Sequence, residues 1–186
     1  MKVLDNSGSG SYSDIAAGIR YTADQGWEVG SKSLGASSGS QTVKDACTYA
    51  YDKGVLLVAA AGNDGPCSDC VGYPPAEPEV IAVSATSDDD SLADFSSTGP
   101  EIEIAAPGEN IPSTVPGGTD TFSGTSMASP HVAGAGGLLM ANGLSNDEAR
   151  QQLKGTAEDL GLPDNDQGAG LLDAAAALGL DSSDDL

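Results

Sequence analysis

Apolar positions along this chain follow two alternating patterns, and their order predicts the architecture. Short continuous apolar runs, Val55–Ala61 above all, then Val80–Ala85 and Ile102–Ala106, read as strands buried on both faces, as in a parallel sheet. Lys2–Leu4 reads as the end of a further strand. Val29–Leu34 reads as a weak strand, because Gly30 loosens its interior and Lys32 carries a charge that is costly to bury unpaired. Between these runs the spacing changes to that of helices. Tyr12–Gln25 carries Ile15, Ala16, Ile19 and Ala23 on one face, with Ser13 as a candidate cap. Thr42–Lys53 is a second helix, stopped by Gly54. Ser126–Ala141, Asn146–Thr156 and Leu171–Leu178 are three more. Strands alternating with helices predict an α/β domain, three layers with a mostly parallel central sheet, over residues 1–180. Residues 181–186 read as a disordered acidic tail, and Asp88-Asp89-Asp90 as a solvated loop tip.

Charge narrows the class. The 186 residues hold 28 acidic and 7 basic side chains, a formal net charge of −21. Such a surface is a poor partner for nucleic acid or an anionic membrane. Few lysines, many aspartates and few aromatics suit concentrated salt, which screens self-repulsion over roughly 3 Å at 1 M. No apolar run approaches the ~20 residues of a membrane span, and an acid at Asp5 leaves no room for a signal peptide. Three cysteines, Cys47, Cys67 and Cys70, are too few for a disulfide framework. The Cys67–Cys70 spacing leaves a disulfide, free thiols and half of a zinc site as alternatives.

The chemistry concentrates in Phe122-Ser123-Gly124-Thr125-Ser126-Met127-Ala128-Ser129-Pro130-His131-Val132-Ala133-Gly134. A serine among small residues opens an apolar helix, so its hydroxyl sits where free N–H groups and the helix dipole favour developing negative charge. This string resembles the nucleophile segment of the subtilisin-like serine proteases, and the acidity resembles their halolysin-like, haloarchaeal members. The resemblance covers nearly the whole chain. It implies a subtilisin-like fold lacking its first strands, a secreted serine endopeptidase acting on polypeptides by acyl transfer, and Ser126 as nucleophile. Asn63, after the Val55–Ala61 strand, would be the side-chain donor of the oxyanion hole, with the Ser126 N–H as second donor.

The resemblance also implies the substrate sites. Ser9, Gly10 and Tyr12 would pair with one side of an extended peptide, and Ser33, Leu34 and Gly35 with the other. Gly35, Gly62 and Gly72 would line a roomy, largely apolar pocket for the residue before the cut. Tyr12 would wall a second pocket, and Phe122 would meet the leaving side. The chemistry requires no cofactor. A weak Ca²⁺ or monovalent cation is expected at the backbone carbonyls of Pro75, Glu77 and Val80, with Glu101 or Glu103 as the charged ligand. Met127, next to the nucleophile, is expected to face the cleft.

A serine protease also needs a base and a carboxylate that orients it. The one histidine, His131, stands five residues beyond Ser126, about 140° around the helix, and cannot serve. Family chains order the triad Asp, His, Ser, so Asp-Ser/Thr-Gly and His-Gly-Thr-His segments are expected upstream of residue 1, on an N-terminal fragment. The other readings are a catalytically dead peptide-binding remnant and a gene fragment without function.

Overall fold

The computed structural model describes residues 2–181. Residues 182–186, most of the predicted acidic tail, lie outside the described residues. Four parallel strands form the central sheet in the order β1-β2-β3-β4: β1 Val29–Lys32, β2 Leu56–Ala60, β3 Val80–Thr86 and β4 Ile102–Pro107. Strand periodicity sends alternate β2 side chains to opposite faces. Leu57 and Ala59 pack with α1 (Tyr12–Asp24) and α2 (Gln41–Asp52) on one side. Leu56 and Val58 pack with α3 (Thr125–Ala141) and α4 (Asn146–Gly155) on the other. This is the expected three-layer arrangement, and every residue of β2 and β3 is buried.

Several sequence expectations need correction. Lys2–Leu4 forms no strand. Ser11, not Ser13, caps α1: its hydroxyl accepts from the Asp14 N–H at 3.1 Å. β1 ends at Lys32, two residues early. Leu171–Leu178 shrinks to α6 (Ala174–Ala177), because Gly170 has φ 129° and the Leu171 and Leu172 N–H groups bond to Glu158 and Ala105 instead. A short α5 (Asp164–Gln167) precedes it.

The pattern also missed a two-stranded hairpin, β5 (Ile111–Val115) with β6 (Gly118–Phe122). It hides because so little of it is buried: β5 alternates only between half-buried and exposed positions with Pro112 inside it, and every β6 residue is exposed. Its turn is nevertheless encoded by Pro116-Gly117, with Gly117 at the positive φ of 94° that this turn demands. The hairpin leads directly into α3. Two backbone bonds fix where α3 starts: the Gly108 N–H donates to Thr86 O and the Gly124 N–H to Gly108 O. Gly108 must lack a side chain, since a Cβ there would lie 2.6 Å from Ala85 Cβ and 3.0 Å from Gly124 O.

Candidate active site

Three segments meet at the carboxyl end of the sheet: the loop after β1, the loop after β2 and the first turn of α3. Asn63 lies in the second. Its Oδ1 accepts from the Thr125 N–H at 2.9 Å and lies 3.0 Å from the Thr125 hydroxyl. A backbone N–H can only donate, so it settles which end of the amide is oxygen. The Nδ2 end is therefore left free, and it lies 3.5 Å from where a Cβ on Gly124 would sit. Thr125 is fully buried and also holds Gly62 through its hydroxyl. Thr125 thus positions the amide, a role the sequence did not reveal.

Ser126 is half-buried in the first turn of α3, where its N–H has no intrahelical acceptor. Pro130 stands four residues on and has no N–H, so the Ser126 carbonyl loses its usual intrahelical donor. Ser33 replaces it, its hydroxyl donating to Ser126 O at 2.9 Å. The first turn of α3 is in this way tied to the end of β1. His131 is exposed, and its Nδ1 lies 2.9 Å from Met127 O, so the ring folds back on its own helix. Met127 is half-buried and does not line the cleft.

Beside Ser126 opens a cleft of about 710 Å³. It brings together Ser126, Asn63, Ser33, Leu34, Gly35, Gly62 and Gly72. Ala36 and Tyr73 exchange backbone hydrogen bonds of 2.9 and 2.8 Å, which join the two walls. Gly62 has φ 124°, and a Cβ there would lie 2.7 Å from Ser97 Oγ. The cleft is more acidic than expected, since Asp64 and Asp69 also line it. Cys67 and Cys70 form a disulfide at its rim, and Cys47 is a buried free thiol. Ser9 and Gly10 lie in a separate depression with Leu4 and Asp14. Gly10 approaches the Val3 carbonyl there, which a Cβ would meet at 2.5 Å. Tyr12 is exposed and its hydroxyl donates to Ser38 O at 2.9 Å, while Phe122 is exposed at the end of β6.

The expected cation ligands are largely engaged elsewhere. Both oxygens of Glu103 bond to Arg150, and Lys154 lies 3.1 Å from one of them. The Glu77 carboxylate faces Lys44 at 3.8 Å. Burial pushes its carboxyl up. Glu101 keeps one buried oxygen, Oε2, with no hydrogen-bond partner. Among the described residues, no group of three His, Cys, Asp or Glu side chains is placed to hold a metal.

Despite the cost of burying an unpaired charge, Lys32 is buried, and among the described residues its Nζ donates to Gly30 O alone, at 3.0 Å. Burial pushes its ammonium down to about 8, and pushes the Cys47 thiol nearby up to about 11.

A serine at a helix start, an amide held with its donor end free, and an open cleft thus stand together at the carboxyl end of a parallel sheet. Residues 1–170 match the Subtilase family, and the chain belongs to it. It is 50% identical over 97% of its length to the halolysin-like extracellular serine protease Nep of Natrialba magadii, covering 34% of that protein. It is 46% identical over 87% of its length to subtilisin DY of Bacillus licheniformis, covering 61% of it. The chain thus spans between a third and about three-fifths of these relatives. The solved structure of the S41 psychrophilic protease superposes with a TM-score of 0.87 at 38% identity, over 92% of this chain and 66% of that one. Sphericase gives 0.85 at 40% identity.

Proposed function

We propose that this chain is the nucleophile- and oxyanion-bearing portion of a serine endopeptidase domain. Ser126 Oγ attacks the substrate carbonyl, and Asn63 Nδ2 with the Ser126 N–H holds the oxyanion. The C–N bond then breaks, the amine leaves with the proton first taken from Ser126, and water hydrolyses the acyl-enzyme. The proton carrier and the carboxylate that orients it come from a segment outside these 186 residues, since His131 turns away from Ser126. The observation that carries this reading is Thr125 fixing the Asn63 oxygen, which frees the amide donor beside Gly124. The flanks at 9–12 and 33–35 with Gly72 bind extended peptide, and Phe122 meets its leaving side. Residues 1–180 act as one unit.

A cation at the Pro75–Val80 turn belongs to the same reading as a stabiliser. The carbonyls of Pro75, Glu77 and Val80 would hold it with Glu101, because Glu103 is taken by Arg150 and Lys154. Calcium should raise the melting temperature of the chain and not that of Glu101→Gln. The extracellular relative supports placing this protein outside the cell. Labelling by a fluorophosphonate, mapped by mass spectrometry in chain supplemented with the missing segment, tests the nucleophile. Label on Ser126 and none on Ser126→Ala is expected. Label on another serine overturns the assignment.

A further inference from the structure

We propose that the cavity between α1 and β1 binds a small free monocarboxylate with a short alkyl chain, such as pentanoate, on the Lys32 ammonium. The cavity holds about 170 Å³. Val3, Ile15, Ile19 and Leu57 wall it, and Lys32 is the one charged residue that lines it. Val3 and Ile15 are half-buried, so a ligand enters from solvent past them. Ser33 and Leu34 border both this cavity and the cleft beside Ser126, but Ser126, Asn63 and Tyr12 do not line it.

β1 builds the cavity by two departures from a regular buried strand. Gly30 and Lys32 stand two residues apart on one face, paired with Leu57 and Ala59 of β2. That is the face on which α1 and α2 pack. Gly30 leaves the floor bare: a Cβ there would lie 3.1 Å from Leu57 Cδ2 and 3.7 Å from Thr22 Cγ2. Lys32 is only 8% exposed, so its ammonium is withdrawn from water. It carries three donors, and among the described residues only Gly30 O accepts from it. The Thr22 and Ser33 hydroxyls at the walls donate elsewhere, to Gly18 O and Ser126 O. No carboxylate lines the cavity, and burial pushes the ammonium down to about 8.

A carboxylate entering here supplies the missing counter-charge through charge-assisted hydrogen bonds, and its alkyl chain is buried against the apolar walls. An apolar cavity of ~150 Å³ admits benzene, so this one suits a stem of about four carbons. Molar salt screens exposed charges far more than a buried pair, so the net charge of −21 does not bar the anion there.

Isothermal titration calorimetry of the 186-residue chain, in about 1 M NaCl near pH 7, compares pentanoate, pentanol and pentylamine. Pentanoate should bind at least about tenfold more tightly than pentanol, and the amine should not bind. Propanoate should bind about fifteenfold more weakly than pentanoate, since each buried CH₂ is worth about fourfold. Lys32→Met keeps the volume and should still bind pentanol, with the carboxylate advantage gone. Near pH 9 pentanoate binding should also take up protons, because the carboxylate raises the Lys32 ammonium from about 8. The titratable neighbour from α2, Cys47, is held neutral by burial up to about 11, and the α1 and β2 walls carry no titratable group. Lys32→Met should take up none. Equal binding of pentanoate and pentanol, a carboxylate advantage that survives Lys32→Met, or no binding of either overturns the proposal.

Discussion

The two flanks of Ser126 differ in how completely they are built. On the β2 side, Asn63, Gly62 and Thr125 are hydrogen-bonded through backbone and side chain, over strands whose residues are all buried. On the β1 side, the outermost strand has no further partner among the described residues. Lys32 is buried there with no counter-charge among the described residues. Next to β1 runs α3, apolar nearly all round, yet it leaves Leu138 53% exposed along with Gly134 and Pro130. A helix of that composition is normally covered on all sides. Under the proposed function, the oxyanion donors thus lie on the bonded side of Ser126, whereas the β1 side is open among the described residues. The Ser33 hydroxyl on Ser126 O ties the first turn of α3 to the β1 side, beside the β1–β2 ladder and the Ala36–Tyr73 pair.

The sharpest way to break this contrast is to damage the finished side. In an enzyme completed by the missing segment, Asn63→Ala should lower kcat about 10²–10³-fold with little change in KM, a loss carried over from the same donor in subtilisin. A loss below about threefold would place the oxyanion elsewhere.

The opposite change should repair the unfinished side. The Lys32 shift from 10.5 to about 8 corresponds to about 3 kcal/mol, since one pH unit is worth ~1.4 kcal/mol. Lys32→Met should therefore raise the unfolding free energy at pH 7 by up to that amount, read by denaturant melts. Between pH 8 and 10.5 the unfolded chain holds a proton at Lys32 that the folded chain has released. The wild-type penalty is thus complete below about pH 8 and fades as the pH rises to about 10.5. The advantage of Lys32→Met should shrink over that window. A constant advantage would mean that the Lys32 ammonium is as well solvated in the fold as in the unfolded chain.

Smaller effects separate placement from chemistry. Gly108→Ala should destabilise by about 1–3 kcal/mol, because its Cβ would press on Ala85 and on the Gly124 carbonyl. Thr125→Val should destabilise by about 1–3 kcal/mol, since the Gly62 N–H loses its acceptor, and lower kcat of the completed enzyme about tenfold, with Thr125→Ser restoring most of both. If serine fails to rescue, the threonine acts through packing and not through the Asn63 amide.

Much of the scaffold was legible because burial on both faces writes continuous apolar runs, and β2, β3 and β4 appeared within a residue or two. The nucleophile turn was legible for a different reason, its string of small residues around Ser126. What escaped depends on contacts between distant segments. Thr125 looks like one more small residue until its N–H meets Asn63, 62 positions away. Pro130 reads as a blemish in a helix until Ser33 takes the carbonyl it frees. The hairpin at 111–122 buries too little to leave a pattern, and Leu171–Leu178 has helical composition but loses half its length to bonds with Glu158 and Ala105. The acidity of the cleft also went unseen, because Asp64 and Asp69 stand in a sequence already full of aspartate.

The central claim is that this chain holds an assembled nucleophile and oxyanion side but no proton carrier for it. Turnover of a chromogenic peptide tests it most directly, comparing the chain, its Ser126→Ala variant, and the chain refolded with an N-terminal segment bearing the Asp and His motifs. Loss of the base alone costs on the order of 10⁶ in kcat, a value taken from subtilisin. The chain alone should therefore match Ser126→Ala, and the refolded pair should exceed both by several orders of magnitude. Turnover by the chain alone well above Ser126→Ala would contradict the account, because a base would then have to lie within these 186 residues.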